Sequence, residues 1–301
     1  MPTPPRVALA TQTALPELYA DDRLLIPALA ARGVHAGAAV WDDPSVDWTT
    51  FDAVVVRSCW DYHLKHDAFL AWVARLERAG VAVWNPPAVI RWNAEKGYLR
   101  QLEERDVRVV PTRWIERGSA ASLHDVLHDA GWERAVVKPA ISASAHETWR
   151  TARQSAVDDE ARFRRMVQRG RVLVQPFMDA VVSTGEWSHV FIGGEFSHAM
   201  LKRARSGDFR VQSEHGGSAI RGDPGAHVIE RARHALRAGE ACAGESLYAR
   251  VDGCVEDGEF VLMELELIEP LLYLAEHPEA PDRFAAAFAD RLQKVSAGRA
   301  S

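Results

Sequence analysis

Three carboxylates near the end of the chain have the spacing of a metal site. Glu264 and Glu266 are two residues apart in an apolar run, and in an extended strand such side chains point to the same face. The turn residues 256–258 would close a hairpin that places Asp252 opposite Met263, give or take one residue. Three carboxylates on one face repel one another unless a cation lies between them. Such oxygen ligands favour Mg²⁺, although an exposed acidic hairpin face would have the same pattern.

Two lysines lie where an anionic ligand would explain them. Asn93 reads as the N-cap of a helix that runs through Leu102, which puts Lys96 at the positive end of the helix dipole. A phosphate beside that N-terminus would compensate the charge, and a solvated surface lysine is the alternative. Lys138 closes a buried β-branched strand, so it either extends to water at a sheet edge or reaches an anionic ligand.

The segments that follow these lysines suggest a nucleotide. Residues 141–148, which include Ser142 and Ser144, are small and polar, so they form either a lid with donors for phosphate or a flexible turn. A later strand stops at Pro176, next to Gln175. Free backbone groups at such a strand exit can bind a planar base, although a core strand that ends at proline looks the same.

A predicted hairpin around Gly193-Gly194 ends in a group of cations. Lys202 and Arg205 would bind phosphate or carboxylate there, or else form a solvated basic rim. His215 and Gly216, in the polar segment 212–218, are candidate substrate contacts, although a lone histidine is more often structural.

Alternating strands and helices must position these groups. In the first ninety residues we predict strands at 7–10, 34–40, 51–56 and 81–84, and helices at 21–32 and 67–79. Such alternation favours a doubly wound parallel sheet. Pro27 should kink or split the first helix.

Ligands of such sheets bind beyond the carboxyl ends of the strands, which selects residues 57–63. No GxGxxG follows the first strand, which argues against a dinucleotide. Arg57 could clamp a substrate carboxylate while Trp60 and Asp61 shape the pocket. The alternative is that Arg57 and Asp61 pair with each other and Trp60 only packs.

Composition excludes several classes of protein. The formal net charge of −6, without a basic stripe, argues against a general nucleic-acid binder. The three cysteines are odd in number and far apart, which favours a reducing compartment over a disulfide framework. Since we find neither a signal peptide nor an apolar run of membrane-spanning length, we expect a cytoplasmic protein.

The order of these motifs resembles the ATP-grasp superfamily, in particular bacterial glutathione synthetase and the D-cycloserine synthetase-like (RimK-type) ligases. The resemblance covers about residues 88–295 and rests on Asn-Ala-Glu-Lys96, Val-Val-Lys138-Pro, the small-residue loop, Val-Gln175-Pro-Phe-Met, Arg250-Val-Asp252 and Met-Glu264-Leu-Glu266. It implies an α/β and α+β chain with an N-terminal doubly wound parallel-sheet domain (1–87) and two ATP-grasp subdomains (88–178 and 179–301).

The resemblance also implies a role for each motif. ATP would lie between the two subdomains, and two Mg²⁺ ions, or Mn²⁺ in their place, would accompany it. The implied contacts are Lys96, Lys138, Ser142 and Ser144 to phosphate, Gln175, Pro176, Phe177 and Met178 to adenine, Glu186 to ribose, and Asp252, Glu264 and Glu266 to metal. Two positions depart from the family pattern, because Glu266 stands where asparagine is common and the phosphate loop is rich in serine and alanine rather than glycine.

The implied reaction is ATP-dependent ligation of a carboxylate to an amine, between molecules or by ring closure, through an acyl phosphate. Arg250 would stabilise the acyl phosphate and the oxyanion, or else form only a salt bridge with the acids. A small zwitterionic amino-acid derivative is the expected substrate, and a homodimer or homotetramer is usual in such enzymes. A non-catalytic nucleotide-binding protein and a small-molecule kinase are the alternatives, and without a Walker motif a P-loop kinase is disfavoured.

Overall fold

The computed structural model describes residues 4–205, 207–211 and 215–300, with the backbone alone for 295–300. The described chain has a mixed α/β fold with one parallel and two antiparallel sheets, which confirms the predicted fold class. None of the described helices is long and apolar enough to cross a membrane.

The N-terminal sheet is parallel, with the strand order β2-β1-β3-β4. Its elements are β1 (Arg6–Thr11), α1 (Leu25–Ala30), β2 (His35–Val40), β3 (Ala53–Ser58), α2 (His66–Arg78) and β4 (Ala82–Trp84). Every residue of β3 is buried, as expected for a strand covered on both faces. The helix expected at 21–32 is divided into a 3₁₀ turn (Asp22–Leu24) and α1, and Pro27 lies in the first turn of α1, where a helix needs no backbone N–H.

Two short helices replace the single helix expected after residue 93. These are α3 (Pro87–Asn93) and α4 (Tyr98–Glu103), and the prediction that Asn93 caps a helix is wrong. The Asn93 side chain instead donates to Leu265 O at 2.7 Å and accepts from Leu267 N at 2.8 Å. The Asn93 side chain therefore forms tertiary hydrogen bonds to β13 and the residue that follows it, instead of capping a helix.

The middle sheet is antiparallel, with the order β5-β8-β6-β7. Its strands are β5 (Arg113–Ile115), β6 (Arg134–Pro139), β7 (Trp149–Ala152) and β8 (Val172–Pro176), with helices α5 (Leu123–Ala130) and α6 (Ala156–Arg169) between them. Phe163 and Leu127 are fully buried in the core that these helices form with the sheet.

The C-terminal sheet is antiparallel, with the order β11-β10-β9-β12-β13. After α7 (Asp179–Ser183), its elements are β9 (Glu186–Ile192), β10 (Glu195–Arg203), β11 (Ser218–Gly222), α8 (Ala226–Ala243), β12 (Tyr248–Glu256) and β13 (Glu259–Glu266). Asp252 pairs with Glu264, one residue from the expected register, and a bulge follows at Gly253. A Cβ at Gly253 would lie 2.3 Å from Val261 O, so this bulge requires glycine.

The C-terminal helix α9 (Ala280–Ala300) packs against the N-terminal part of the chain. Phe284 and Phe288 are fully buried in a cluster that also contains Leu9 and Leu29 of the first sheet layer and Tyr248 of β12. The first and last parts of the chain thus share one hydrophobic core. The domain boundaries after residues 87 and 178 stay predictions.

Candidate active site

A cavity of about 400 Å³ lies where the three sheets meet. Residues of the two antiparallel sheets and of the loops after β1 and β3 contribute to its wall. The charged residues of its lining are Lys96, Lys138, Lys202, Arg210, Arg250, Glu186, Asp252, Glu264, Glu266 and Glu269. It therefore combines concave shape with a dense set of opposite charges, which is typical of a site for a polar, charged ligand.

Lys96 lies at the wall of the cavity, in the turn between α3 and α4. Its backbone N–H donates to Ala140 O at 2.9 Å, so the turn is tied to the end of β6. Its ammonium donates to Ser142 O at 2.7 Å and lies 3.0 Å from Glu264 Oε1. The lysine thereby links the small-residue loop to the acidic strand β13.

Lys138, near the end of β6, has no such partner. It is 9% exposed and lines the cavity, and no described residue lies within hydrogen-bonding or ion-pair distance of its ammonium. Burial is the main reason that its pKa falls to about 8, and Lys96 lowers it further while Glu264 opposes the shift. A buried cation that faces a cavity without a counter-ion is suited to an anionic ligand.

A buried network of charges occupies the floor of the cavity. The Asp252 carboxylate accepts from Lys202 Nζ at 2.9 Å, from Arg250 Nη2 at 2.9 Å and from Ser188 Oγ at 2.7 Å. Lys202 also lies 2.6 Å from Glu186 Oε1. Burial acts to raise the pKa of the Asp252 carboxyl, but Arg250 and Lys202 outweigh it and hold that pKa well below its usual range.

The three predicted metal ligands line the same cavity but differ in exposure and in their ion-pair partners. Glu264 and Glu266 are partly exposed there, paired with Lys96 and Arg250 respectively. Burial raises the pKa of Glu266 to about 7, with Asp252 and Glu264 adding to the shift. In the described part of the chain no three acidic, histidine or cysteine side chains are arranged to hold a metal.

As a donor set, Glu264 and Glu266 fit Mg²⁺. They are hard oxygen donors on one strand face, and Mg²⁺ commonly takes one or two carboxylates together with phosphate oxygens and water. Asp252 could join them only after Lys202 or Arg250 releases one of its oxygens.

The exit of β8 forms the apolar end of the cavity. Gln175, Pro176, Phe177 and Met178 all line it. Phe177 N donates to Arg134 O at 3.0 Å, whereas the N–H of Met178 has no acceptor among the described residues. One free backbone donor beside apolar side chains is an arrangement that a purine ring nitrogen can use.

The small-residue loop also lines the cavity, through Ser142, Ser144 and Thr148 among others. Ser144 and Glu147 have left-handed backbones, with φ of 49° and 53°, a conformation for which glycine is the usual residue. His146 approaches His63 of the first sheet layer, with 5.1 Å between the ring centroids. The loop thus spans from the middle sheet to the loop that follows β3.

Several predicted site residues do not line the cavity. Arg57 is fully buried and donates to Asp22 Oδ1 at 2.9 Å and to Pro270 O at 2.6 Å, so the structure contradicts its role as a substrate clamp. It also contradicts an Arg57–Asp61 pair, because Asp61 accepts from Lys65 Nζ at 2.8 Å. Only Trp60 of this group reaches the cavity.

The remaining outliers are Arg205, His215 and Gly216, none of which contributes to the cavity wall. Arg205 is exposed, and its side chain lies against Gly216. The structure therefore gives no support for a catalytic or substrate contact by these three. The neighbouring positions 212–214 of the same predicted segment lie outside the described residues.

Sequence reasoning missed the aromatic and acidic end of the cavity. Tyr19, Tyr62, Tyr273 and Glu269 line it beside Trp60. Burial raises the pKa of the Glu269 carboxyl well above its usual range, and Glu266 and Glu264 add to this shift. The one sequence signal was a third carboxylate, three residues after Glu266 in the acidic run.

The chain is similar in sequence and in structure to known synthetases and ligases. The family model for the N-terminal domain of D-cycloserine synthetase DcsG matches residues 7–85. The cycloserine biosynthesis protein DcsG of Streptomyces lavendulae is 31% identical over 299 residues, which are 95% of this chain and 99% of the relative. The crystal structure of D-cycloserine synthetase DcsG superposes with a TM-score of 0.87 at 30% identity, over 95% of this chain and 99% of that one. D-alanine–D-alanine ligase from Bacillus anthracis, complexed with ATP, has the same fold at 14% identity, with a TM-score of 0.70 over 98% of this chain and 99% of that one.

Proposed function

Because this chain belongs to the DcsG family of ATP-grasp ligases, we propose that it uses ATP and Mg²⁺ to join a carboxylate and an amine of a small amino-acid derivative. The observation that supports this most directly is Lys138, a buried cation that faces the cavity and has no counter-ion within ion-pair distance in the described part of the chain. Neighbouring Glu264 and Glu266 supply oxygen donors for the metal that phosphate transfer requires.

In this proposal the nucleotide extends along the cavity from β8 to β13. The N–H of Met178 donates to the adenine ring, and Glu186 is near the ribose. Lys96 and Lys138 contact the phosphates together with Ser142 and Ser144 of the loop, while Gln175, Pro176 and Phe177 complete the wall of the base pocket. Mg²⁺, when bound by Glu264, Glu266 and the more tightly paired Asp252, would neutralise phosphate charge.

The reaction then proceeds in two balanced steps. A substrate carboxylate oxygen attacks the γ-phosphorus, forms an O–P bond and releases ADP, giving an acyl phosphate. The amine nitrogen attacks the acyl carbon, loses a proton, and the C–O bond to phosphate breaks. Arg250, which lines the cavity and is held by Asp252, would stabilise the oxyanion, and Lys202 would keep that aspartate in place.

The substrate that we propose is inferred from the product named for the related D-cycloserine synthetase. The closing C–N bond of D-cycloserine joins a carboxyl carbon to an aminooxy nitrogen of the same molecule. We therefore favour intramolecular ring closure, for which O-amino-D-serine is the simplest open-chain probe.

The assay would incubate the protein with ATP, MgCl₂ and O-amino-D-serine. We expect ADP and phosphate in equal amounts and the mass of the cyclised product. A phosphorylated product without phosphate release would show a kinase instead, and no ADP with any amino-acid probe would favour a non-catalytic nucleotide-binding protein. A Glu264→Gln, Glu266→Gln double variant should lose turnover if these carboxylates hold the metal.

Three finer points belong to the same proposal. We expect two Mg²⁺ ions per site, replaceable by Mn²⁺, which metal titration of turnover would test. We also expect a homodimer or homotetramer, measurable by light scattering, and a cytoplasmic location. The metal count and the oligomeric state rest on the family resemblance, and the location rests on the odd number and wide spacing of the cysteines.

A further inference from the structure

Among the described residues, every charged side chain of the cavity wall has an ion-pair partner except Glu269 and Lys138. Four of the cavity's five acidic residues lie within ion-pair distance of a cation, namely Glu186, Asp252, Glu264 and Glu266. Among the described residues, Glu269 has no cation within ion-pair distance and no hydrogen-bond donor for its carboxylate, although Lys96 and Arg250 lower its pKa slightly from farther away. Among the cations of the cavity, Lys138 likewise has no described ion-pair partner, and the proposed function assigns it to an ATP phosphate. An acid without a partner in the same cavity calls for a cation in the ligand.

The backbone around Glu269 is fixed unusually firmly for a loop. Each carbonyl from Glu269 to Leu272 accepts a hydrogen bond from a side chain, and the donors in this order are Trp60, Arg57, Arg250 and His198. The carbonyl of Ile268 also lies 2.9 Å from the Tyr248 hydroxyl, which it shares with Val56 O. Since these bonds come from both the first and the last sheet, the segment 268–272 holds Glu269 at a defined place in the wall, as a recognition group requires.

The surroundings of Glu269 also suit a cation. Tyr19, Trp60, Tyr62 and Tyr273 line the same cavity, and the rings of Tyr19 and Trp60 have their centroids 5.0 Å apart. Aromatic faces attract ammonium groups, most strongly where water is excluded. Because burial disfavours the ionised carboxylate, a ligand ammonium would bring the charge that stabilises it.

We propose that Glu269 is a specificity-determining residue that binds an ammonium group of the substrate which does not take part in the new bond. This inference rests on the proposed function, because ring closure to a D-cycloserine-type product consumes the carboxylate and the aminooxy nitrogen and leaves the α-amino group free. Arg57 and Trp60 act as positioning residues, since they hold the carbonyls of Pro270 and Glu269.

Two ring compounds that differ only in the amino group test this directly. D-cycloserine has the amine, and isoxazolidin-3-one is the same ring without it. Binding of each would be measured calorimetrically in the presence of ADP and Mg²⁺ at near-neutral pH, because mildly acidic pH would protonate the Glu269 carboxyl, whose pKa burial raises. The proteins are wild type, Glu269→Gln, Glu269→Asp and the control Glu276→Gln, an exposed acid shortly after the same segment.

We expect Glu269→Gln to weaken D-cycloserine binding about ten- to a hundredfold, the usual effect of losing a charged hydrogen bond. Isoxazolidin-3-one should bind wild type and Glu269→Gln equally, Glu269→Asp should recover part of the preference, and Glu276→Gln should match wild type. Equal loss of both compounds, or no loss of either, overturns the proposal. If ADP binds but neither ring does, the ammonium role is refuted while the nucleotide site stands. If ADP fails to bind as well, the proposed function falls with it.

Discussion

The protonation of Lys138 should make the affinity for nucleotide depend on pH. Burial lowers its pKa to about 8, whereas an exposed lysine stays protonated to far higher pH. Lysine is charged below its pKa, so nucleotide affinity should be greatest at neutral pH and fall as the pH rises through about 8. We expect the affinity for ADP with Mg²⁺ to fall up to about tenfold per pH unit above that value.

Calorimetric titrations at several pH values, with two variants, would measure this effect. Lys138→Arg keeps its charge throughout and should bind ADP with little pH dependence, and Lys138→Met should bind weakly at every pH. An identical slope for wild type and Lys138→Arg would contradict the assignment.

Arg57, unlike Lys138, does not line the cavity that the sequence analysis predicted it would serve. Its position after β3 predicted a substrate clamp, because ligands commonly bind beyond the ends of parallel strands. The structure instead places its guanidinium against Asp22 and the Pro270 carbonyl, stacked on the ring of Tyr248 with 4.7 Å from Cζ to the centroid. An arginine that holds segment 268–272 in place and an arginine that binds substrate give the same signal in the sequence.

At the level of elements, the β12–β13 hairpin is where charge is most concentrated. Asp252 separates two buried cations, Lys202 and Arg250, and its removal would leave them close together without a counter-charge. We expect Asp252→Ala to lower the free energy of unfolding by about 3–5 kcal/mol, as for other broken buried ion pairs.

Urea denaturation would measure this change. Glu256→Ala, near the end of the same strand and only partly buried, is the matched control and should cost less than about 0.5 kcal/mol. A small effect of Asp252→Ala would mean that Glu186 and Glu266 alone can balance the two cations.

For the molecule as a whole, the decisive feature is the shared core under α9. Phe288 packs in the cluster that joins the first sheet layer to β9 and β12. Since Phe288 is fully buried, Phe288→Ala should cost about 3–5 kcal/mol of unfolding free energy. Because this core spans both ends of the chain, far-UV circular dichroism and tryptophan fluorescence should report one coincident transition in wild type.

Two separate transitions, with only one of them shifted by Phe288→Ala, would show that the N-terminal region unfolds on its own. That result would support the predicted domain boundary at residue 87 as a folding boundary. The exposed Val157, on α6 far from this cluster, gives a control, because Val157→Ala should leave the transition nearly unchanged.

The sequence by itself determined the order of the longer strands and helices, the family resemblance and most of the charged residues that line the cavity. Period-two alternation placed Glu264 and Glu266 on one face of β13, and β-branched runs marked the buried strands. These features depend on neighbours along the chain, so a local pattern is enough to reveal them.

Only the tertiary structure decided which charges are paired. Asn93, Arg57 and Trp60 hydrogen-bond to residues more than 170 positions away, and no spacing rule reports such contacts. The same folding gives four acids of the cavity a cation and leaves Glu269 without one among the described residues. Charge pairing depends on distances across sheets that pack together only in the folded chain, and that is the physical reason why the sequence could name four of the five acids but could not decide their partners.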